Sequence, residues 1–566
     1  MVDRAVVAAA TSMLYSGGKA AFILTSHAER PIHPIVDLTM HQAEIIVLLF
    51  AAVAALVVVA RQLGLPYPVV LVLAGLALSF IPHLPEVKLD PNLVFFFFLP
   101  PLIYPAALFT SWRDFRRNLR PILLLAIGLV LFTTITIACV AHSIVPSLPW
   151  AAAFALGAIV SPPDAIAATS VIRRLSVPHR IQAILEGESL VNDATALVAL
   201  QFAVAALMTG QFSLGQASLR FIWAAAGGIG LGLVIGFAIR WVHRHLDDPP
   251  VQITISLLTP FLAYLPAERL HASGVLAVVA AGIYLGWHSP VSVTARFRLQ
   301  AFAFWEIVVF LLNGFVFTTI GLQLPGILRS LEGESLLALI ENALLASAAV
   351  VLVRVAWVFA ATYLPRLLIK KVRVRDPYPA WQHVAVIAWA GMRGVVSLAA
   401  AFALPFVLTD GSPFPGRNYI LFLTFCVILT TLVFQGLTLP LVIRKLGIES
   451  DGSTDEEERL ARLKANKAAI ELLKQLTANG KFSQDAINRL RAEYDERVEQ
   501  LEFCADNPDE CRGEIATPQY QRLQQKALDT ERETIIHLRN QRVINDDALR
   551  RIQRDLDLAE ARLTGS

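Results

Sequence analysis

Between residues 43 and 444 the chain reads as one apolar stretch after another, each close to the length needed to cross a bilayer. A hydrocarbon core of about 30 Å takes roughly 20 apolar residues wound as a helix. On that ruler there are thirteen spans, at about 43–62, 67–82, 91–110, 119–145, 150–172, 180–208, 221–243, 250–266, 272–288, 299–323, 334–364, 381–409 and 417–444. The second and eighth are short for the task.

Loop charge tests that count independently. If the chain enters the first span from outside, the connections that end inside carry 17 basic residues, among them Arg61, Arg113, Arg116, Arg117, Arg120 and Lys370. The alternate connections carry five: Lys88, Arg220, Arg269, Arg329 and Arg417. The positive-inside rule therefore supports an odd number of spans, with the C-terminal tail in the cytoplasm.

Charge also divides the chain lengthwise. Fifty charged residues fall in 1–450 and 43 in the 116 residues from Asp451 onward, so a membrane domain (41–448) gives way to a soluble tail (449–566). The tail's Leu and Ile recur among Glu, Arg and Gln as in solvated amphipathic helices, interrupted at Gly480 and Asn507-Pro508. It reads as a helical regulatory or dimer-supporting segment with no catalytic motif. The membrane part is net +8 and the tail net −5, with no concentrated basic face, so nucleic acid is not expected as a partner. Cys139, Cys426, Cys504 and Cys511 show no metal-ligand spacing. Residues 1–40, where Arg4 and Lys19 flank short apolar runs, read as an N-terminal extension. It is either an upstream-extended start before Met40 or an extra segment.

Chemistry concentrates in the fifth and sixth spans. The sixth contains Gly187-Glu188-Ser189-Leu190-Val191-Asn192-Asp193, and the fifth Ser161-Pro162-Pro163-Asp164. Ionised carboxylates are costly at membrane depth and mark ion or proton paths. On a helix Ser189 and Asp193 share a face, and Glu188 and Asn192 share the next one round. A hydroxyl and a carboxylate on one stripe offer oxygen ligands to a hard cation. The same carboxylate can take a proton instead, which is the minimum machinery of cation–proton exchange. The plainer alternative for each acid is a structural ion pair, and it weighs most heavily for Glu188.

Proline removes backbone donors, so Pro162-Pro163 predicts a helix broken near mid-membrane, with freed carbonyls beside Asp164. Gly391-Met392-Arg393-Gly394 is a second candidate break, with Arg393 read as neutralising helix-end carbonyls. The two breaks occupy matching places if spans 1–6 and 8–13 form two inverted repeats, an arrangement met in transporters with discontinuous helices. Glu306 reads as lying near the inner end of the tenth span, where it snorkels or pairs. His179 and His383 fall at cytoplasmic span edges. A channel would show a repeated carbonyl filter or a ring-forming acid motif, and none is present. An intramembrane hydrolase would need a histidine beside a nucleophile, also absent.

At these residues the chain resembles the monovalent cation:proton antiporter-1 family, which includes bacterial and archaeal Na⁺/H⁺ antiporters and eukaryotic Na⁺/H⁺ exchangers. The Glu-Ser-Leu-x-Asn-Asp element carries most of the likeness. Phe98-Leu99-Pro100-Pro101-Leu102-Ile103, Ser161-Pro162-Pro163-Asp164 and Gly391-Met392-Arg393-Gly394-Val395-Val396-Ser397 follow the family's order. The resemblance implies an all-α membrane protein of about thirteen transmembrane helices in two inverted repeats. Its broken helices would cross at mid-membrane, and a helical cytoplasmic tail would follow. It further implies core helices at about 119–208 and 334–444, and dimerisation helices at about 43–110 and 221–323.

The transported species would be Na⁺ (or Li⁺ or K⁺) and H⁺, exchanged one for one without a cofactor. By that likeness Asp193, Asp164 and Ser189 hold Na⁺, Asn192 marks an electroneutral member, and Glu188 and Arg354 form a buried ion pair. Pro162, Pro163, Gly391, Arg393 and Gly394 support the breaks. A homodimer among inner-membrane lipids, with a tail open to a regulator, completes the expectation. Two departures bear on Na⁺ versus K⁺ choice. Tyr104-Pro105 stands where many relatives carry an acid, and Pro-Pro-Asp-Ala where many read Asp-Pro.

Overall fold

A computed structural model describes residues 50–80, 94–172, 175, 177–210, 214–331, 333–448, 453–478, 482–506, 518–541, 543 and 546–564. The N-terminal extension 1–40, Lys88, Arg173, Arg174, Gly480, the Asn507-Pro508 pair and Cys511 lie outside them. In a bilayer every backbone N–H and C=O must be satisfied within the protein, which leaves a chain of apolar segments little choice but helix. Among the described residues the regular structure is helical, and the extended backbone pairs in one isolated bridge, Val407 with Pro413.

In chain order the membrane helices begin with α1 (Phe50–Gln62), α2 (Tyr67–Leu78), α3 (Phe95–Phe109) and α4 (Leu119–Ile144). Then come α5 (Trp150–Val160), α6 (Ala165–Ile172), α7 (His179–Thr209), α8 (Leu214–Arg244), α9 (Pro249–Arg269) and α10 (Gly274–Ser292). The last are α11 (Ala295–Leu322), α12 (Leu336–Leu368), α13 (Trp381–Trp389), α14 (Val395–Phe402) and α15 (Arg417–Lys445). Eight of these, α4, α7 to α12 and α15, are long and apolar enough to cross a membrane. Helix falls within every apolar stretch of the sequence. The fifth and twelfth stretches are each two short helices, α5 with α6 and α13 with α14, separated by non-helical residues 161–164 and 390–394.

Two apolar cores organise the bundle. One gathers α4 to α7 and α12 to α15, with α1, α2 and the second half of α11, around residues such as Leu129, Leu156, Val350 and Ile428. The other gathers α3, α9, α10 and α11 around Tyr104, Tyr264, Val278 and Trp305. Helix α7 belongs to both, with Ile184 and Leu185 in the first and Leu190 and Ala194 in the second. Its middle therefore lies on the seam. Outward faces stay apolar, as lipid contact requires: Leu337, Leu344 and Leu352 form one exposed stripe on α12.

The tail is helical too, as α16 (Ser453–Ala478), α17 (Gln484–Asp506), α18 (Pro518–Asn540) and α19 (Asp546–Thr564). Ile535, Leu549 and Leu556 form a small cluster between its last two helices. Glu457 on α16 pairs with Arg113, in the short helix Trp112–Arg117 that leads into α4.

Candidate cation-binding site

Pro162 and Pro163 supply no N–H to continue α5, which ends at Val160, and α6 starts only at Ala165. The residue between them and α6 bonds elsewhere. The Asp164 backbone N–H donates to Met392 O at 2.7 Å, in the other interruption. The two breaks thus touch backbone to backbone.

Each broken helix leaves C-terminal carbonyls without intrahelical donors, and a buried arginine answers each set. Arg393 Nε donates to Val160 O at the end of α5, at 3.0 Å, and its Nη1 to Gly391 O. The Arg393 backbone N–H is held by Thr431 Oγ1 at 3.1 Å, in a π-helical turn of α15. Arg354 Nη2 donates to Ile387 O and Ala390 O at the end of α13, at 3.1 and 3.4 Å. Its guanidinium also grips Glu188 with two parallel bonds of 2.6 and 3.0 Å. Both arginines are fully buried. Positive charge at a helix C-terminus offsets the partial negative charge of the aligned peptides.

The opposite polarity holds at the start of α14. A Cβ at Gly394 would lie 1.8 Å from Asp164 Oδ2, so only glycine lets the helix N-terminus approach that carboxylate. A Cβ at Gly391 would likewise strike the Arg354 side chain at 2.2 Å. Positive half-helix ends favour anions, as negative ends favour cations.

Helix α7 brings the remaining groups. Asn192 Nδ2 donates to Pro163 O at 2.9 Å, tying α7 to the first break, while its Oδ1 is buried without a hydrogen-bond partner among the described residues. One face round, Ser189 and Asp193 line a cavity of about 720 Å³ together with Pro162, Pro163, Asp164 and Gly394. Three sequence candidates, Asp164, Ser189 and Asp193, therefore share one cavity. Asn192, Glu188, Arg354, Gly391 and Arg393 stand behind its wall as the framework.

Sequence reasoning did not find all of the lining. Glu306, Asn313 and Ser397 also face the cavity. Helix α11 begins at Ala295, four residues before the expected start of its span, so Glu306 sits about three turns in. It is exposed there and lines the cavity. Glu306 and Asn313 recur at seven residues on one face of the stretch 301–317, which is otherwise apolar, and that is the signal that marks them. Asn313 and Ser397 are buried, with Asn313 Nδ2 and Oδ1 and Ser397 Oγ lacking hydrogen-bond partners among the described residues. The lining includes Arg61 and Phe109, at the C-terminal ends of α1 and α3, so the cavity opens toward the arginine-rich face of the bundle.

The family model for "Sodium/hydrogen exchanger, transmembrane" matches residues 47–445. An uncharacterized Na⁺/H⁺ exchanger of Mycobacterium tuberculosis is 37% identical over 525 residues, 92% of this chain and 96% of that one. A sodium, potassium, lithium and rubidium/H⁺ antiporter of Bacillus pumilus is 36% identical over 421 residues, 73% of this chain and 62% of its own length. Among solved structures, the sodium proton antiporter MjNhaP1 of Methanocaldococcus jannaschii superposes with a TM-score of 0.55 at 20% identity. That match covers 72% of this chain and 99% of that one, and it bears on the fold alone.

Proposed function

Because this chain belongs to the transmembrane sodium/hydrogen exchanger family, we propose that it exchanges one Na⁺ for one H⁺ by alternating access, with Asp193 binding each in turn. It is a secondary cation/proton antiporter rather than an enzyme, and its family works without a cofactor. The observation that carries the site is the shared cavity of Asp193, Asp164 and Ser189 where the two interrupted helices meet. Two carboxylates and a hydroxyl suit a hard cation. A proton on Asp193 replaces the ion with equal charge. Asn192 cannot titrate, and its amide is committed to Pro163 O; both features favour one proton per cation.

In this reading the chain crosses the membrane thirteen times. The α5–α6 and α13–α14 pairs count as one crossing each, in corresponding places of two inverted repeats. The arginine-rich face is cytoplasmic by the positive-inside rule, so the cavity is an inward-open state and the tail lies inside the cell. Helices α1 to α3 and α8 to α11 serve as the dimerisation part of an inner-membrane homodimer, and the tail is the place for a regulator. The name of the Bacillus relative favours a second cargo reading, in which K⁺ joins Na⁺ and Li⁺.

Proton movement into proteoliposomes against Na⁺, Li⁺ and K⁺ gradients, with and without a clamped potential, tests all of this. Flux driven by Na⁺ and indifferent to potential is the expected result. Flux that accelerates or reverses with potential, once leak is controlled, rules out one-for-one exchange, and no cation-driven flux at all rules out the assignment.

A further inference from the structure

A second cavity, of about 310 Å³, lies at the arginine-rich end of the bundle and shares no lining residue with the first. Arginines from three helices line it: Arg120 on α4, Arg180 on α7 and Arg366 on α12. A single carboxylate meets all three. Asp376, in the connection to α13, takes Arg180 at 2.8 Å and Arg366 at 2.5 Å, and it stands 3.9 Å from Arg120. The cluster is left with two positive charges in excess. Arg120 Nη2 is buried and has no hydrogen-bond partner among the described residues, and a buried charged donor without an acceptor is destabilising. Arg180 and Arg366 are better satisfied, by Asn118 Oδ1 and by the carbonyl of Asp376 as well as its carboxylate. Arg120 therefore holds the spare valence.

The backbone adds to the same field. Helix α7 starts after Pro178 and α13 after Ala380, neither with a side-chain cap, and both residues line this cavity. Two helix N-termini thus direct partial positive charge at it. Guanidinium forks and helix N-termini together match the oxygens of a phosphate group.

The surroundings say where such a group would come from. Leu367, Leu368, Ile369, Val374 and Trp381 are exposed, with Lys370, Lys371 and Arg373 between them. Exposed apolar side chains mixed with lysine, arginine and tryptophan suit a segment lying in the headgroup layer of an anionic leaflet.

We propose that this cavity binds a phosphate-bearing anion, with the headgroup of an anionic phospholipid in the same leaflet as its source. Occupancy satisfies Arg120 and ties the α12–α13 connection to α4 and α7. It thereby steadies α13, whose far end is the second break.

Thermal unfolding of the full-length protein in detergent tests the site, with phosphatidylglycerol, phosphatidylcholine or inorganic phosphate added. Phosphatidylglycerol should raise Tm by roughly 3 °C or more, and phosphatidylcholine should not. Arg120→Gln should remove at least half of that shift, Arg120→Lys should keep most of it, and Arg220→Gln, on remote α8, should keep all of it. An Arg120-sensitive shift with inorganic phosphate supports the site and makes free phosphate a source. Equal shifts in Arg120→Gln and Arg220→Gln overturn it. If Arg120→Gln does not fold, native mass spectrometry of the unaltered protein decides. One phosphatidylglycerol per chain displaced by pyrophosphate supports the site, and a broad lipid series insensitive to pyrophosphate overturns it.

Discussion

The two breaks at the centre of the membrane domain solve one problem with opposite chemistry. The first, at 161–164, is made by prolines and presents a carboxylate, Asp164, to the cavity. The second, at 390–394, is made by glycines and keeps its charge, Arg393, behind the cavity wall among carbonyls. Both leave a half-helix C-terminus that a fully buried arginine covers. Arg354 is balanced by Glu188, whereas the Arg393 side chain donates to backbone oxygens, with Nη2 buried and unpartnered among the described residues. The difference separates two kinds of charge. The carboxylates to which the proposed mechanism gives the exchange of ions face the cavity, and the charges it holds fixed are sealed in forks and helix ends.

The largest expected effect breaks that comparison on its cavity side. Asp193→Asn should reduce Na⁺-driven proton flux in proteoliposomes to the level of empty vesicles, with insertion and thermal stability preserved. Asp164→Asn should raise the half-saturating Na⁺ concentration at least roughly tenfold, about 1.4 kcal/mol of lost binding. Unchanged Na⁺ dependence would move Asp164 into the framework with Arg393.

On the framework side, stability should suffer before cation affinity does. Arg354→Ala leaves Glu188 buried and unpaired, at a cost of about 3–5 kcal/mol. The double change with Glu188→Ala should cost less than the sum of the two, as contacting residues do in a mutant cycle. Additive losses in thermal unfolding would mean that the bidentate contact carries no coupling.

Arg393→Met keeps much of the volume but uncaps Val160 O and Gly391 O, with an expected loss of about 1–3 kcal/mol. Its half-saturating Na⁺ should move less than that of Asp164→Asn. A larger move would show that the second break also sets the charge of the site.

How much of this could be read beforehand depends on whether a feature is local. Apolar length and the Pro-Pro and Gly-x-x-Gly interruptions are local, and helices begin and stop close to where they say. The four-residue spacing of Ser189 and Asp193 is local too, and both reach the cavity. The carbonyls that Arg393 covers are not local, because Val160 lies 233 positions away in the chain and no pattern near Arg393 names it. Glu306 lies deeper in its helix than the apolar stretch suggests, for a smaller reason. Arg296 and Arg298 made the start of the tenth span look like loop, while α11 in fact begins at Ala295. Long basic side chains can reach out from a helix end without ending the helix.

The smallest effect is expected farthest from both breaks, at the tail. Glu457 on α16 meets Arg113 beside the start of α4, and both side chains are well exposed. The guanidinium, by hydrogen bond and by charge, holds the Glu457 carboxyl below its ordinary value of 4.5. A depressed carboxyl contributes stability above its unfolded pKa and loses it as pH falls through the lower folded value. The pair is therefore fully formed at neutral pH, switches only in acid, and is screened by salt. Glu457→Gln should speed amide exchange in 453–478 and leave the pH profile of exchange unchanged between roughly pH 6 and 9. A shifted profile would mean that charge at the tail reaches the crossing, and that the division between exchanging and fixed groups does not end at the membrane domain.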